Sequence, residues 1–139
     1  MKKISKKFLL VLLSILMLLT SIPVYAESEY QVMPRYANTN SSKFDFVASS
    51  SGAYANVSYT GNSSTFSYAR LTVKVEKSFL WVFWSTVDEW TATSSDVMGS
   101  FYHVFSVSGS GNYRATFTLE VYGTNGSVDT LTETIESSY

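Results

Sequence analysis

The chain has no cysteine. It can close no disulfide and can offer no thiolate to a metal or a substrate, so any core it builds is held by packing alone. Histidine is nearly as scarce, His103 being the single one. Zinc sites draw several ligands from His, Cys and carboxylates. A catalytic imidazole needs a nucleophile and an orienting acid about 3 Å away. Neither constellation is legible, and the sequence holds no G-x-S-x-G elbow and no Asp-rich calcium loop. We therefore read the chain as non-enzymatic, with no metal and no cofactor, and His103 as an ordinary strand residue. Proline stops at Pro34, which leaves the rest of the chain free of the residue that interrupts β-ladders.

Positive charge is concentrated in one place. Lys2, Lys3, Lys6 and Lys7 precede an apolar run from Phe8 to Leu19 that only Ser14 interrupts. The run is too short to span hydrocarbon as a stable helix, which takes about 20 residues. It leads into Thr20 to Pro23 and then Val24-Tyr25-Ala26, with small residues where signal peptidase requires them. Residues 1–26 are thus expected to be a signal helix that is removed, and the protein is expected outside the cell with no stable membrane anchor. There is no twin Arg, no lipidation Cys, no sortase motif and no C-terminal apolar tail.

Removing the leader changes the electrostatics. Glu27–Tyr139 keeps six of the ten Lys and Arg but all eleven Asp and Glu, a formal charge of −5. An acidic domain with scattered cations is ill suited to phosphate backbones, so no nucleic-acid partner is expected. Cysteine avoidance behind a Lys-rich leader fits a Gram-positive bacterium. On that reading the Asn-X-Ser triplets at Asn40, Asn56, Asn62 and Asn125 are turns and strand faces, not glycan acceptors.

What the exported part does have is β-formers and turn-formers in alternation. Residues 27–42 read as an extended arm, with a short edge strand near Tyr30 to Tyr36. A sandwich domain is expected over 43–136. Its strands are predicted at Lys43 to Ala48, Ala53 to Thr60, Phe66 to Lys77, Phe79 to Ala92, Met98 to Val107, Tyr113 to Tyr122 and Ser127 to Ile135, with Ser137 to Tyr139 frayed. Inward faces follow from period-two patterning: Ala53, Ala55, Val57 and Tyr59; Ala69, Leu71, Val73 and Val75; Tyr113, Ala115, Phe117, Leu119 and Val121. Glu76 and Glu120 are expected to face solvent. The stretch Phe79 to Trp84 is apolar on both faces and reads as a strand buried on both sides or bulged. Seven such strands predict an all-β, immunoglobulin-like or fibronectin-III-like antiparallel sandwich. Gly111-Asn112-Tyr113 opens the sixth strand where such folds place a corner tyrosine. Ala115 stands where antibody domains carry their second cysteine.

Pro34-Arg35-Tyr36, the Trp84 to Trp90 pair, Gly111-Asn112-Tyr113-Arg114 and Val121-Tyr122-Gly123 with the Thr-rich strand after it carry a resemblance. The chain resembles a group of short, secreted, functionally uncharacterised proteins of Clostridia and related Gram-positive bacteria. The resemblance implies a secreted β-sandwich and brings no activity.

The informative excess is aromatic. Trp81, Trp84 and Trp90 crowd into ten residues beside Phe79 and Phe83. Trp84 reads as the filler of the sandwich core. Trp81 and Trp90 read as an exposed platform of the kind that stacks sugars or anchors protein partners. Tyr54, Tyr68, Tyr102 and Tyr122 lie opposite the predicted buried faces and extend it. The expected function is a secreted binding module that engages an extracellular protein or glycan through Trp81, Trp84, Trp90 and Tyr122, or through a free edge strand. The alternative is a membrane-active factor of bacteriocin or toxin type. For that alternative the Phe66 to Ala92 hairpin would cross a bilayer, although Val82 to Trp84 breaks the alternation such a strand needs.

Overall fold

The computed structural model describes residues 36–139 apart from Trp81. The leader expected at 1–26, and all but the last residue of the edge strand expected near Tyr30 to Tyr36, lie outside the described residues. Seven strands follow one another: β1 (Thr39–Ser49), β2 (Gly52–Gly61), β3 (Phe66–Phe79), β4 (Phe83–Ser94), β5 (Met98–Phe105), β6 (Asn112–Gly123) and β7 (Val128–Ser138). They build two antiparallel sheets, ordered β1-β2-β5 and β4-β3-β6-β7. The all-β sandwich expected from the patterning is present.

Alternation decides which way each strand faces. Every second residue of β2, β3 and β6 is buried, in the positions the period-two pattern marks. Val73, Val75, Tyr113, Ala115, Phe117, Leu119 and Val121 of the four-stranded sheet are completely covered, and Phe46, Val57, Phe101 and Phe105 close the core from the other sheet. Each large side chain so buried contributes about 1.5–3 kcal/mol. Ring packing crosses the layers where Phe44 meets Phe117 at 5.5 Å, and runs along the three-stranded sheet where Tyr59 stacks on Phe101 at 5.5 Å.

Turn chemistry sits where the local sequence places it. Ser50 and Ser51 turn β1 into β2, and Gly52 takes a φ of 127° that other residues avoid. In the β6–β7 turn Gly126 has φ 82°, and the Asn125 carboxamide oxygen accepts from the Ser127 amide at 2.9 Å. Tyr113 is fully buried, and its hydroxyl donates back to the carbonyls of Ser108 and Gly109 at 2.9 and 2.8 Å. It pins the β5–β6 connection to the start of β6.

Four expectations need correction. β1 starts at Thr39, within the stretch expected to be an arm, because Asn38 is a buried hub. Its amide donates to Asp129 at 2.7 Å, and its carboxamide nitrogen donates to the carbonyls of Val121 and Ser127 and to the Ser127 hydroxyl. Gly123 is glycine for the same reason, since a Cβ there would meet the Asn38 carboxamide oxygen at 2.5 Å. The C-terminus does not fray. β7 runs to Ser138, and Tyr139 stacks on Tyr113, donates its hydroxyl to the Gly109 carbonyl at 2.7 Å and bonds to Gly111 through the backbone. Glu76 is not solvated but tucked under Arg114 and Lys74. Finally, Phe79, Leu80, Val82 and Phe83 do not form a buried strand but stand in solvent at a hairpin tip.

The sides of the sandwich differ. Beside β1 and β7, polar bonds lace the sheets together: the Asn38 network, and the Ala48 amide donating to the Ser137 hydroxyl at 2.9 Å. Beside β4 and β5, rings span the gap, with Trp90 stacked on His103 at 4.6 Å and edge-on to Phe101 at 6.4 Å. Replacing Asn38 by Ala should cost about 2–4 kcal/mol, because it strands several buried partners at once. Urea unfolding checks this, and Asn40→Ala, at an exposed neighbour, should cost well under half as much.

Candidate functional site

The β3–β4 hairpin outruns the body of the domain. β3 pairs with β6 only as far as Lys77 opposite Tyr113, whereas its pairing with β4 continues through Ser78–Trp84 to Phe79–Phe83. Past Lys77 the hairpin has no third strand beside it. Side chains there cannot be covered by the core, whatever their hydrophobicity.

Beyond Ser78 the residues placed at the tip are large and apolar. Phe79 is 62 % exposed, Leu80 66 %, Val82 73 % and Phe83 63 %. No formal charge occurs from Ser78 to Val87. Leu80 has φ 51°, in the left-handed region that non-glycine residues occupy at a cost of roughly 1–2 kcal/mol. A glycine would make this turn without strain, so a large side chain is held at the tip against the backbone's preference. Lower down, Thr86 and Asp88 of β4 face consecutive residues Glu76 and Val75 of β3, leaving Val87 as an extra residue in a bulge. A bulge bends its strand, and beside this one lies an open concavity of ≈ 630 Å³ whose lining includes Phe79, Phe83, Trp84 and Val87 with the polar Lys77 and Ser108.

Trp84 lies on the outer face of the four-stranded sheet, half-buried, not in the core. The Arg114 guanidinium covers its ring at 4.2 Å, while Arg114 Nε donates to Glu76 at 2.7 Å and Lys74 pairs with the other Glu76 oxygen at 3.1 Å. The hydrogen bond from Arg114 holds the Glu76 carboxyl below its ordinary range, with Lys74 assisting and burial opposing. A buried carboxylate thus fixes the arginine that braces the tryptophan at the foot of the tip.

The remaining expected site residues do not join Trp84. Trp90 is half-buried against the core on the inner side of β4, so the roles expected of Trp84 and Trp90 are exchanged. Trp81 lies outside the described residues. Tyr122 is on the same outer face as Trp84 but at the other end of the sheet, stacked on Tyr68 at 4.2 Å with Arg70 at 5.3 Å from its ring. Partial burial raises the Tyr122 phenol above its usual value, Arg70 opposing and Glu120 assisting. Tyr54 and Tyr102 stack at 5.7 Å on the outer face of the other sheet. The tyrosines therefore form separate pairs on opposite faces instead of one platform. Leu80 and Val82, which complete the tip, carry no sequence signal of exposure, because the run around them looks like core.

His103 is wedged between Trp90 and an edge contact to Phe105 at 4.6 Å. Among the described residues no group of three or more His, Cys, Asp or Glu converges on a point where a metal ion fits. No protein-family model matches the chain, and no curated protein matches it either.

The Glu76 cluster sets a pH signature. A carboxyl whose folded pKa is depressed stabilises the fold fully above its unfolded value, and that contribution is lost as pH falls through the folded value. Glu76→Gln should therefore lower the melting temperature at about pH 7, and the gap from wild type should close toward about pH 3. Thermal melts across that range check it.

Proposed function

We propose that the chain is a secreted, non-enzymatic binding module of fibronectin-III-like or immunoglobulin-like type that engages an extracellular protein partner through the β3–β4 hairpin tip. The strand order supports the fold type. Sheets ordered β1-β2-β5 and β4-β3-β6-β7 correspond to strands A-B-E and C′-C-F-G of such sandwiches. Tyr113, at the start of the F-like strand and bonded to carbonyls four and five residues upstream, matches their corner tyrosine.

The observation that carries the functional reading is the tip itself. Four large apolar side chains, each more than 60 % exposed, share one hairpin end. Scattered exposed hydrophobes need no explanation, but a contiguous cluster on a strained turn marks a contact surface. Its aliphatic members suit a protein groove better than a sugar, which favours flat aromatic faces. Trp84, braced by Arg114 and Glu76, gives that surface a rigid edge. Secretion rests on the leader pattern at 1–26.

A second reading draws on the same tip. The uncharged run from Ser78 to Val87 also suits shallow insertion into a lipid surface, the membrane-active alternative. The readings separate experimentally. Phe79→Ser with Phe83→Ser should leave the melting temperature within a few degrees of wild type, since neither ring is in the core. Leu80→Gly should keep or raise stability by relieving the turn. Both variants should lose retention on the surface of the exporting cells. If protease treatment of those cells abolishes wild-type retention, the partner is a protein. Co-flotation with phosphatidylcholine–phosphatidylglycerol vesicles that the double variant loses would support the lipid reading instead. Retention unaffected by the tip variants would refute both.

A further inference from the structure

An edge strand exposes unpaired amides and carbonyls that only another strand can satisfy along their length. Natural sheets therefore guard their edges with charge, bulges or cover. This sandwich has four edges, β1, β5, β4 and β7. Three are guarded. β4 carries the Val87 bulge and turns Asp88 toward its core-facing side, opposite Val75. β7 turns Glu133 inward, opposite Phe117, and leaves it exposed. β1 presents Lys43 and Asp45, has a register irregularity between Thr39 and Ser41, and lies against β7.

β5 has no charge, no bulge and no register break, and the other sheet reaches it through the Trp90 ring on His103 and Phe101. It pairs with β2 over Met98 to Phe105 without a break in register. Neither β5 nor β2 contains Asp, Glu, Lys, Arg or Pro. Its outward side chains are bare: Met98 is 70 % exposed, Tyr102 60 % and Val104 58 %. They end an apolar row that crosses the sheet, Val47 beside Tyr54 beside Val104. Among the described residues nothing pairs with this edge.

We propose that β5 is a self-association edge, where a second copy of the chain adds its own β5 antiparallel and the three-stranded sheets merge into one of six. The absence of charge is what selects a second copy. A domain with this acidic balance repels itself over most of its surface, and β5 with β2 is where two copies meet with no like charges opposed. The alternation is self-complementary as well. A two-fold axis through His103 sets Tyr102 opposite Val104 of the second copy and Phe101 opposite its Phe105, the aromatic–branched and aromatic–aromatic pairs that stabilise ladders. Tyr54 and Tyr102 then line a continuous ring surface on both copies. With the axis at His103 only Phe101 to Phe105 of the two β5 strands face one another, a small interface, so the association is weak and concentration-dependent.

Sedimentation velocity of Glu27–Tyr139 over a micromolar-to-millimolar series tests this. The expected result is a monomer–dimer equilibrium. Val104→Lys and Tyr102→Lys, outside the core, should each raise the dimer Kd about tenfold or more while leaving the thermal melt unchanged. The Phe79→Ser/Phe83→Ser variant should dimerise like wild type, which separates this edge from the hairpin tip. A monomer throughout the series would overturn the proposal. So would a dimer indifferent to both lysine variants, or one lost in the tip variant.

Discussion

The inner face of β6 is the surface on which the rest of the fold depends. Tyr113, Ala115, Phe117, Leu119 and Val121 are all fully buried, and the strand pairs with β3 on one side and β7 on the other. With no disulfide to restrain the unfolded chain, stability must come from dry contact along this face. Tyr113 adds what an aliphatic side chain cannot. It fills volume at the end of the core and ties down the β5–β6 connection with its hydroxyl. Tyr139 and Lys77 then assemble on it, the ring stacking at 5.9 Å and the ammonium 5.2 Å from the ring centre. One residue thereby anchors a loop, the C-terminus and the last paired turn of β3.

That anchoring also explains where the fold stops. Because β6 begins at Asn112, β3 loses its neighbour at Lys77. Two more pairs with β4 carry the hairpin into solvent, and the side chains there are released from any packing requirement. A chain under selection for stability alone would end such a hairpin with Asn-Gly or another turn-former. This one ends it with Leu80 at positive φ between exposed rings. The strain at the backbone and the exposure of the side chains point the same way, toward a surface kept for contact.

Much of this was legible beforehand. Period-two patterning gives the buried faces of β2, β3 and β6 correctly because each has one dry and one wet side. Gly52, Gly111 and Gly126 mark their turns because they take positive φ. The tip was not legible, for a physical reason: Phe79 to Trp84 contains no Gly, Asn, Asp or Pro, so its turn has no local signature, and apolar residues at a tip look like apolar residues in a core. Asn38 failed in the opposite direction. An Asn within an Asn/Ser-rich stretch resembles a loop, and only the three-dimensional closeness of Val121, Ser127 and Asp129, more than eighty residues away, makes it a hub. The Val87 bulge sits between Trp84 and Trp90 and puts these two positions, which unbroken alternation would place on one face, on opposite faces; nothing local in the sequence marks which of the two turns inward.

The placement of charge is the sharpest remaining clue to use. Most of the strand acids stand on edge strands, Asp45 on β1, Asp88 and Glu89 on β4, and Asp129, Glu133 and Glu136 on β7, with Glu120 on the central β6. Glu76 is covered on the outer face of the four-stranded sheet, as the counterion that fixes Arg114 over Trp84. Between Asp45 and Arg70, and again between Asp96 and Arg114, the chain carries no Asp, Glu, Lys or Arg. Those stretches are β2 and β5 with their turns, while the third uncharged stretch, from Ser78 to Val87, is the hairpin tip. An acidic domain gains nothing in colloidal stability from leaving whole elements uncharged. An edge and a tip are left bare while every other edge is guarded, and these are the two places to which the proposed contacts are assigned. The tip lies beyond the end of the sandwich and β5 along its side, so the surfaces are separate and one molecule can use both at once.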